Sequence, residues 1–300
     1  MTSGFEFRLK LEFRGTVLRN EPMRRHTSLR VGGPADWFLC PTGLEDLQVL
    51  LRLLKEHGMP FLVVGGGNNL LVRDGGLRGA VISLDRFDRV ELAGDNLVRA
   101  EAGLPNIALV EFAADRELSG LEFLVGIPGR VGGALAMNAG AGGGAITDCL
   151  ETLVSLKGGE VATVSRVDLR CGYRFLSLDP GEIILGASFR LRKGRGEDVR
   201  ALMEEFLAHR RAVQQVGFPN AGSFFRNPPQ GPAWRFIDAA GLRGVRVGGA
   251  QVSEVHANFL VNRGEATAAD FIELAALVKE KVREKTGVRL EEEVRVVGEE

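Results

Sequence analysis

The chain has 300 residues, 45% of them hydrophobic and 26% charged, with a formal net charge of −1. This is the composition of a globular protein with a sizeable core, and the balanced charge removes any electrostatic case for nucleic acid or an anionic membrane surface as partner. Cys40, Cys149 and Cys171 are widely spaced without CxxC pairing, and His26, His57, His209 and His256 are dispersed, so neither a disulfide framework nor a metal site is expected.

In chain order, no apolar stretch follows Met1-Thr2-Ser3-Gly4, so no signal peptide is expected and a reducing cytoplasm fits. Phe5, Phe7, Leu9, Leu11 and Phe13 alternate with charged residues, which predicts a strand with one wet face. Thr42 and Glu45 have the spacing of a capping box, predicting a helix to about His57 that Gly58 stops. A short strand over 61–64 delivers a first glycine cluster, Gly65-Gly66-Gly67-Asn68-Asn69. Strand-like runs follow at 70–72, 80–84 and 97–100, the last ending near Gly103. Pro105 suits the first turn of a helix through Glu117.

Residues 121–125 lead into a second, longer glycine stretch, Gly126-Ile127-Pro128-Gly129-Arg130-Val131-Gly132-Gly133-Ala134, continuing to Gly140. Apolar runs flanking Gly158-Gly159 predict a hairpin, and 182–191 a further strand. Residues 193–198 read as a linker. Val199, Leu202, Met203, Phe206 and Leu207 mark one face of a long helix. Beyond it come a Gly/Pro/Asn-rich loop (217–229), a short helix (232–240) and strands near 245–247 and 259–261. A second long helix, capped by Thr267, runs to about Lys285, and a strand over 288–297 closes the chain. No apolar run approaches the ~18 residues of a membrane span. The alternation predicts an α+β or α/β architecture.

Glycine lacks a Cβ, so its backbone approaches a ligand closely; two such clusters suggest a cradle for a dinucleotide pyrophosphate. Either cluster alone reads equally well as a tight turn. Neither is a Walker A loop, because no Gly-Lys-Ser/Thr follows. Gly140-Ala141-Gly142-Gly143-Gly144-Ala145 matches G-x-G-x-x-A but lacks a preceding apolar strand, so a Rossmann site is a weak reading.

Taken together, His26-Thr27-Ser28, Gly32-Gly33-Pro34-Ala35, Gly65 to Leu71, Gly126 to Ala134 and Asn138-Ala139-Gly140-Ala141 resemble the UDP-N-acetylenolpyruvoylglucosamine reductase family over nearly the whole chain. One departure is Gly142, where many relatives carry Tyr. The resemblance implies an α+β protein with an FAD-binding domain of the vanillyl-alcohol oxidase / p-cresol methylhydroxylase type. Two α+β subdomains over 1–196, split near 80–85, would precede a substrate-binding α+β domain over 197–289 and a terminal strand over 290–300. It implies non-covalent FAD, NADPH as reductant, a UDP-sugar substrate in peptidoglycan precursor synthesis, and a cytoplasmic monomer.

The resemblance also assigns residues. Gly65, Gly66, Gly67, Asn68, Asn69, Gly103, Gly126, Ile127, Gly129, Gly132, Gly133 and Ala134 would bind FAD. Ser223, in Asn220-Ala221-Gly222-Ser223-Phe224-Phe225-Arg226-Asn227-Pro228, matches a proton donor, though a serine in a glycine-rich loop is in itself better read as a turn hydroxyl. Arg174 matches the residue holding the substrate carboxylate, a task suited to a guanidinium fork; the plain alternative is a solvated arginine. Glu293 matches the polarising glutamate. Alternation of Val288, Leu290, Val294 and Val296 instead turns Glu292 inward, and a solvated charge run fits Glu291 to Glu293 as well. Arg226, Asn227 and Asn258 match the diphosphate and uridine side of the pocket, and Tyr173 adjoins Arg174. Tyr173 is the chain's sole tyrosine, which suggests the family's second subclass, lacking a tyrosine-bearing lid loop. Competing readings are another flavin oxidase or dehydrogenase of this superfamily, and a nucleotide-binding module without chemistry.

Overall fold

The computed structural model describes residues 2–300; Met1, at the head of the region expected over 1–196, lies outside the described residues. Seven α-helices occur among the described residues: α1 (Thr2–Glu12), α2 (Leu44–Glu56), α3 (Asn106–Ala114), α4 (Val131–Ala136), α5 (Gly196–Gln214), α6 (Ala233–Ala239) and α7 (Ala268–Thr286). The chain forms two compact units. One holds the described residues up to Leu18 with Phe38–Gly66 and Ala80–Arg210; the other holds Arg19–Trp37, Gly67–Gly79 and Arg211–Glu300. Residues 193–198, read as a linker, run from the end of the strand Arg192–Lys193 through Gly194 and Arg195 into the first turn of α5.

The first unit is built on a five-stranded antiparallel sheet, in the order Glu160–Ser165, Leu150–Lys157, Ile183–Arg190, Leu97–Glu101, Val90–Leu92. Its outer hairpin is the one the glycines predict: Lys157 faces Glu160 across Gly158 and Gly159, both at positive φ, as a two-residue primed turn requires. The N-terminal segment is a helix, not the strand its alternation predicts. Phe5, Leu9 and Phe13, four apart, are buried, while Phe7 and Leu11 are 63% and 67% exposed. An alternating pattern contains an i, i+4, i+8 series, and here that series faces the core. Lys10–Glu6 and Arg8–Glu12 pairs line the helix at the same spacing. At α2 the expected box also gives way. Gly43 is the N-cap, and Asp46 reaches back to accept from the Thr42 amide (2.9 Å) and the Arg14 amide (2.8 Å). Asp46 thus takes the role expected of Glu45, and the Thr42 hydroxyl donates to it at 3.1 Å instead of accepting from the helix.

The second unit packs α6 and α7 against a four-stranded sheet, ordered Asn220–Ser223, Phe259–Asn262, Ala250–Val252, Arg246–Val247. Phe271, Leu274, Ala275, Val278 and Val282 form the buried stripe of α7 and join Leu29, Val31, Leu71, Phe224 and Phe225 in one core. Thr267 caps α7 in a full capping box with Asp270, and Gly287 ends it at φ +73°. Asp74 adds a second cap: its two carboxylate oxygens accept from the Ala268 and Ala269 amides, both at 2.9 Å. The strand expected over 288–297 shrinks to Arg295–Val297, parallel to Leu70–Val72. Upstream of it, the amides of Glu293 and Val294 both turn to the Phe224 carbonyl, which interrupts the ladder and leaves one bridge, Phe225 to Glu292.

Candidate active site and cofactor cradle

Ser223 ends an edge strand opposite Phe259. The register slips between Asn220 and Ser223, where Gly222 sits at φ +73° and its amide donates to Asn220 Oδ1 at 2.9 Å. Such a bulge re-aims the following side chain. Asn258, expected in the substrate pocket, is hydrogen-bonded to the backbone that follows this strand. It is 2% exposed; its Oδ1 accepts from the Phe225 amide (3.0 Å), its Nδ2 donates to the Phe225 carbonyl (2.8 Å), and its own carbonyl accepts from the Phe224 amide. Its amide braces the Ser223 segment.

Glu293 lies beside the same segment, its amide donating to the Phe224 carbonyl at 2.8 Å. Asn69 fastens it from the other side: Asn69 Nδ2 donates to the Glu293 carbonyl (3.0 Å), and the Asn69 carbonyl accepts from the Arg295 amide (3.1 Å). The three glutamates differ. Glu291 is exposed, Glu292 is paired with Lys279 of α7 at 2.5 Å, and Glu293 is half-buried next to Phe224. Arg226 is exposed, with its amide on the Glu291 carbonyl; Asn227 Oδ1 accepts from the Ala233 amide at the start of α6.

Arg174 belongs to the first unit. It occupies the second position of a two-residue turn joining Cys171–Gly172 to Phe175–Leu176, with its guanidinium carbon 5.1 Å from the centre of the exposed Tyr173 ring. Its φ of +54° is a left-handed conformation that a long side chain rarely adopts. Backbone strain of this kind collects at functional sites.

The glycines divide by what their missing Cβ avoids. A Cβ on Gly67 would lie 1.9 Å from the His26 carbonyl oxygen, on Gly103 1.9 Å from that of Leu84, and on Gly132 2.9 Å from the Ala102 methyl. At Gly126 it would meet Arg210 Cδ at 2.9 Å. The first three are required by the protein's own packing, whereas at Gly126 the flexible Arg210 side chain could move aside. Gly133 differs, because a Cβ there meets nothing within 4 Å. The Val131 and Gly132 amides donate to the Leu104 and Ala102 carbonyls, so close approach at Gly133, rather than those two amides, is what α4 offers a cofactor. Asn106 holds the loop before it: its amide donates to the Gly129 carbonyl (3.0 Å) and its Nδ2 to that of Ile127 (3.1 Å), while its buried Oδ1 has no partner among the described residues. An open face at Gly133 and an orphaned acceptor beside the glycine loop fit a bound dinucleotide. Gly142 is also explained, since a Cβ there would strike the Phe206 ring of α5 at 2.5 Å. Phe206 takes the space a larger residue at 142 would need.

Comparison with known proteins decides the family. A chain from Geobacter metallireducens named UDP-N-acetylenolpyruvoylglucosamine reductase is 60% identical over 98% of both chains. The chain belongs to the UDP-N-acetylenolpyruvoylglucosamine reductase family. The relative from Geotalea uraniireducens is 57% identical over 99% of both chains. The model of this reductase's C-terminal domain matches residues 214–297, and one described as an FAD binding domain matches 35–165. The crystal structure of the Thermus caldophilus reductase superposes with a TM-score of 0.81 at 36% identity, over 94% of this chain and 98% of that one. An alkyldihydroxyacetonephosphate synthase, 16% identical, shares only the fold, over 64% of this chain and 40% of its own, at a TM-score of 0.50. Membership makes the chain an FAD-dependent oxidoreductase of mixed α+β fold, as its motifs imply. No helix among the described residues is long and apolar enough to cross a membrane.

Sequence reasoning missed the supports: Asp74, Asn106, Asn138 and the brace made by Asn258. Each is a polar side chain bonded to backbone far away in sequence, and no local spacing announces such a bond.

Proposed function

We propose that the protein reduces the enolpyruvyl ether of UDP-N-acetylglucosamine enolpyruvate to UDP-N-acetylmuramate with NADPH as reductant, using Ser223, Arg174 and Glu293. FAD, when bound, supplies the hydride chemistry, accepting from NADPH and delivering to the terminal vinyl carbon. Gly65, Gly66, Gly67, Asn68, Asn69, Gly103, Gly126, Ile127, Gly129, Gly132, Gly133 and Ala134 would line its site, several by shaping the backbone rather than by contact. Hydride addition leaves negative charge on the carbon bearing the carboxylate. Arg174 would hold that carboxylate with a fixed charge and paired donors, which lysine does not reproduce. Ser223 would hand a proton to the carbon; a hydroxyl is a weak acid, so it must be held in one pose beside a strongly basic centre. Glu293 would assist polarisation, Arg226 and Asn227 would face the UDP portion, and Tyr173 would adjoin Arg174 in the substrate pocket.

The observation that carries this reading is the bond from the Glu293 amide to the Phe224 carbonyl, which sets a glutamate and a serine from distant parts of the sequence on neighbouring backbone. The three cysteines are free, in keeping with a reducing cytoplasm. The sole tyrosine lies in the Arg174 turn, in keeping with a second-subclass enzyme without a tyrosine lid. The test is anaerobic. NADPH should bleach the flavin, and UDP-N-acetylglucosamine enolpyruvate should restore its colour. Ser223→Ala should leave the first half-reaction intact and slow the second by roughly a hundredfold to ten-thousandfold, the range for a lost general acid. Equal losses in both halves would refute the proton-donor role, and failure of that sugar to reoxidise the flavin would refute the substrate.

A further inference from the structure

We propose that Asn138 is a positioning residue for this reaction, holding the turn that presents Arg174 to the substrate; the proposal rests on the role given to Arg174 above. Asn138 follows α4 and closes it, its amide donating to the Leu135 carbonyl at 3.0 Å. It does so at φ +40° and is 7% exposed. Glycine is the ordinary residue for a left-handed helix stop, so closing α4 does not by itself explain an asparagine here.

Its side chain does. Nδ2 donates to the Gly172 carbonyl at 2.9 Å, one residue before the Tyr173-Arg174 turn. Oδ1 accepts from the Thr147 hydroxyl at 2.8 Å and from the Thr147 amide at 3.4 Å. Because the Thr147 amide can only donate, the amide of Asn138 is fixed in one orientation, with its nitrogen toward Gly172. Thr147 is buried, and its carbonyl accepts from Arg166 Nε at 3.1 Å, so the anchor is itself anchored.

The turn needs such an anchor. Its strands are two residues each, Tyr173 is 55% exposed and Phe175 50%, and Arg174 is held at positive φ. A hairpin so short and exposed is not stable alone. Asn138 ties it to α4, the helix that carries Gly133 and Ala134. One side chain thus sets the group that would hold the substrate carboxylate relative to the backbone that would receive the cofactor, and displacements of about 1 Å in such a pairing cost up to about a hundredfold in rate.

The test uses the FAD-loaded enzyme with 3-fluorotyrosine incorporated. Tyr173 is the only tyrosine, so its fluorine resonance reports on the turn alone. Asn138→Gly preserves the left-handed stop and removes the tie; should it not fold, Asn138→Asp keeps the volume and the acceptor but loses the donor. The expected result is a shifted or broadened resonance, unchanged FAD retention and NADPH-driven bleaching, and flavin reoxidation by the enolpyruvyl sugar slowed about tenfold to a hundredfold. Added to Arg174→Ala, the same change should slow reoxidation little further. An unmoved resonance, equal slowing of both half-reactions, or full additivity with Arg174→Ala would overturn the proposal. If Arg174→Ala reoxidised at the normal rate while the Asn138→Gly resonance moved, the role of Arg174 would fall and the tie alone would stand.

Discussion

The two places that hold the candidate catalytic groups are built differently. Ser223 and Glu293 sit on backbone fixed from several sides: a sheet edge, the Asn258 amide, the Phe224 carbonyl and the Asn69 side chain. Arg174 sits in a six-residue hairpin at strained φ, tied to the adjacent helix by the Asn138 amide. A proton donor working at the edge of its acidity needs a rigid pose. A guanidinium gripping a carboxylate has reach and two donors, so a single tie to the neighbouring helix would be enough to aim it.

The comparison breaks most visibly at Asn258. Asn258→Ala strips partners from both the amide and the carbonyl of buried Phe225 and should cost about 2–4 kcal/mol, read as a lower urea midpoint at unchanged m-value. A loss well under 1 kcal/mol would mean the serine segment is less constrained than its bonds suggest. Arg174→Gly sharpens the other side. Relief of the left-handed strain should leave stability unchanged or raised by up to about 1 kcal/mol, while flavin reoxidation by the sugar falls by roughly a hundredfold to a thousandfold. A clear loss of stability would show that the turn is structural rather than strained for use.

The smallest effect concerns pH. Burial, and then the nearby Arg243 charge, push His256 below its ordinary value of 6.5. The ring packs on Phe259, 4.6 Å between centroids, and its Nδ1 accepts from the Asn258 amide. A depressed histidine favours the folded state while neutral: that contribution is whole above pH 6.5 and is lost as the pH falls below it, where the unfolded chain takes up the proton more readily. Midpoints measured from pH 7.5 to 5 should therefore decline, and His256→Gln should flatten this part of the decline.

Elements with their own local chemistry were legible in the sequence. Thr267 marked the start of α7, and Gly158-Gly159 marked a primed hairpin. The motif residues Ser223, Arg174 and Glu293 were legible only through family resemblance, since no composition or period selects one glutamate of three. The N-terminal segment was misread because alternation of Phe5, Leu9 and Phe13 with Phe7 and Leu11 satisfies both periods, and only burial chooses between them. Thr42 is not the cap: Gly43 takes that place, and the Thr42 amide and hydroxyl donate to Asp46, one residue beyond the Glu45 that the spacing selects. Asn258 matched a ligand position, and its commitment to Phe225 depends on a strand pairing no local window contains.

The carboxylate of Asp74 has a consequence for how the polypeptide matures. It completes the start of a helix nearly two hundred residues downstream, and the neighbouring Leu70–Val72 strand finds its parallel partner only in Arg295–Val297, at the very end. The early segments of the second unit, Arg19–Trp37 and Gly67–Gly79, must therefore wait until residues 268–297 have been made. A fragment cut at 214–297 would lack Asp74, Leu71 and the 29–31 core contacts, and so could not stand in for the C-terminal half of the enzyme.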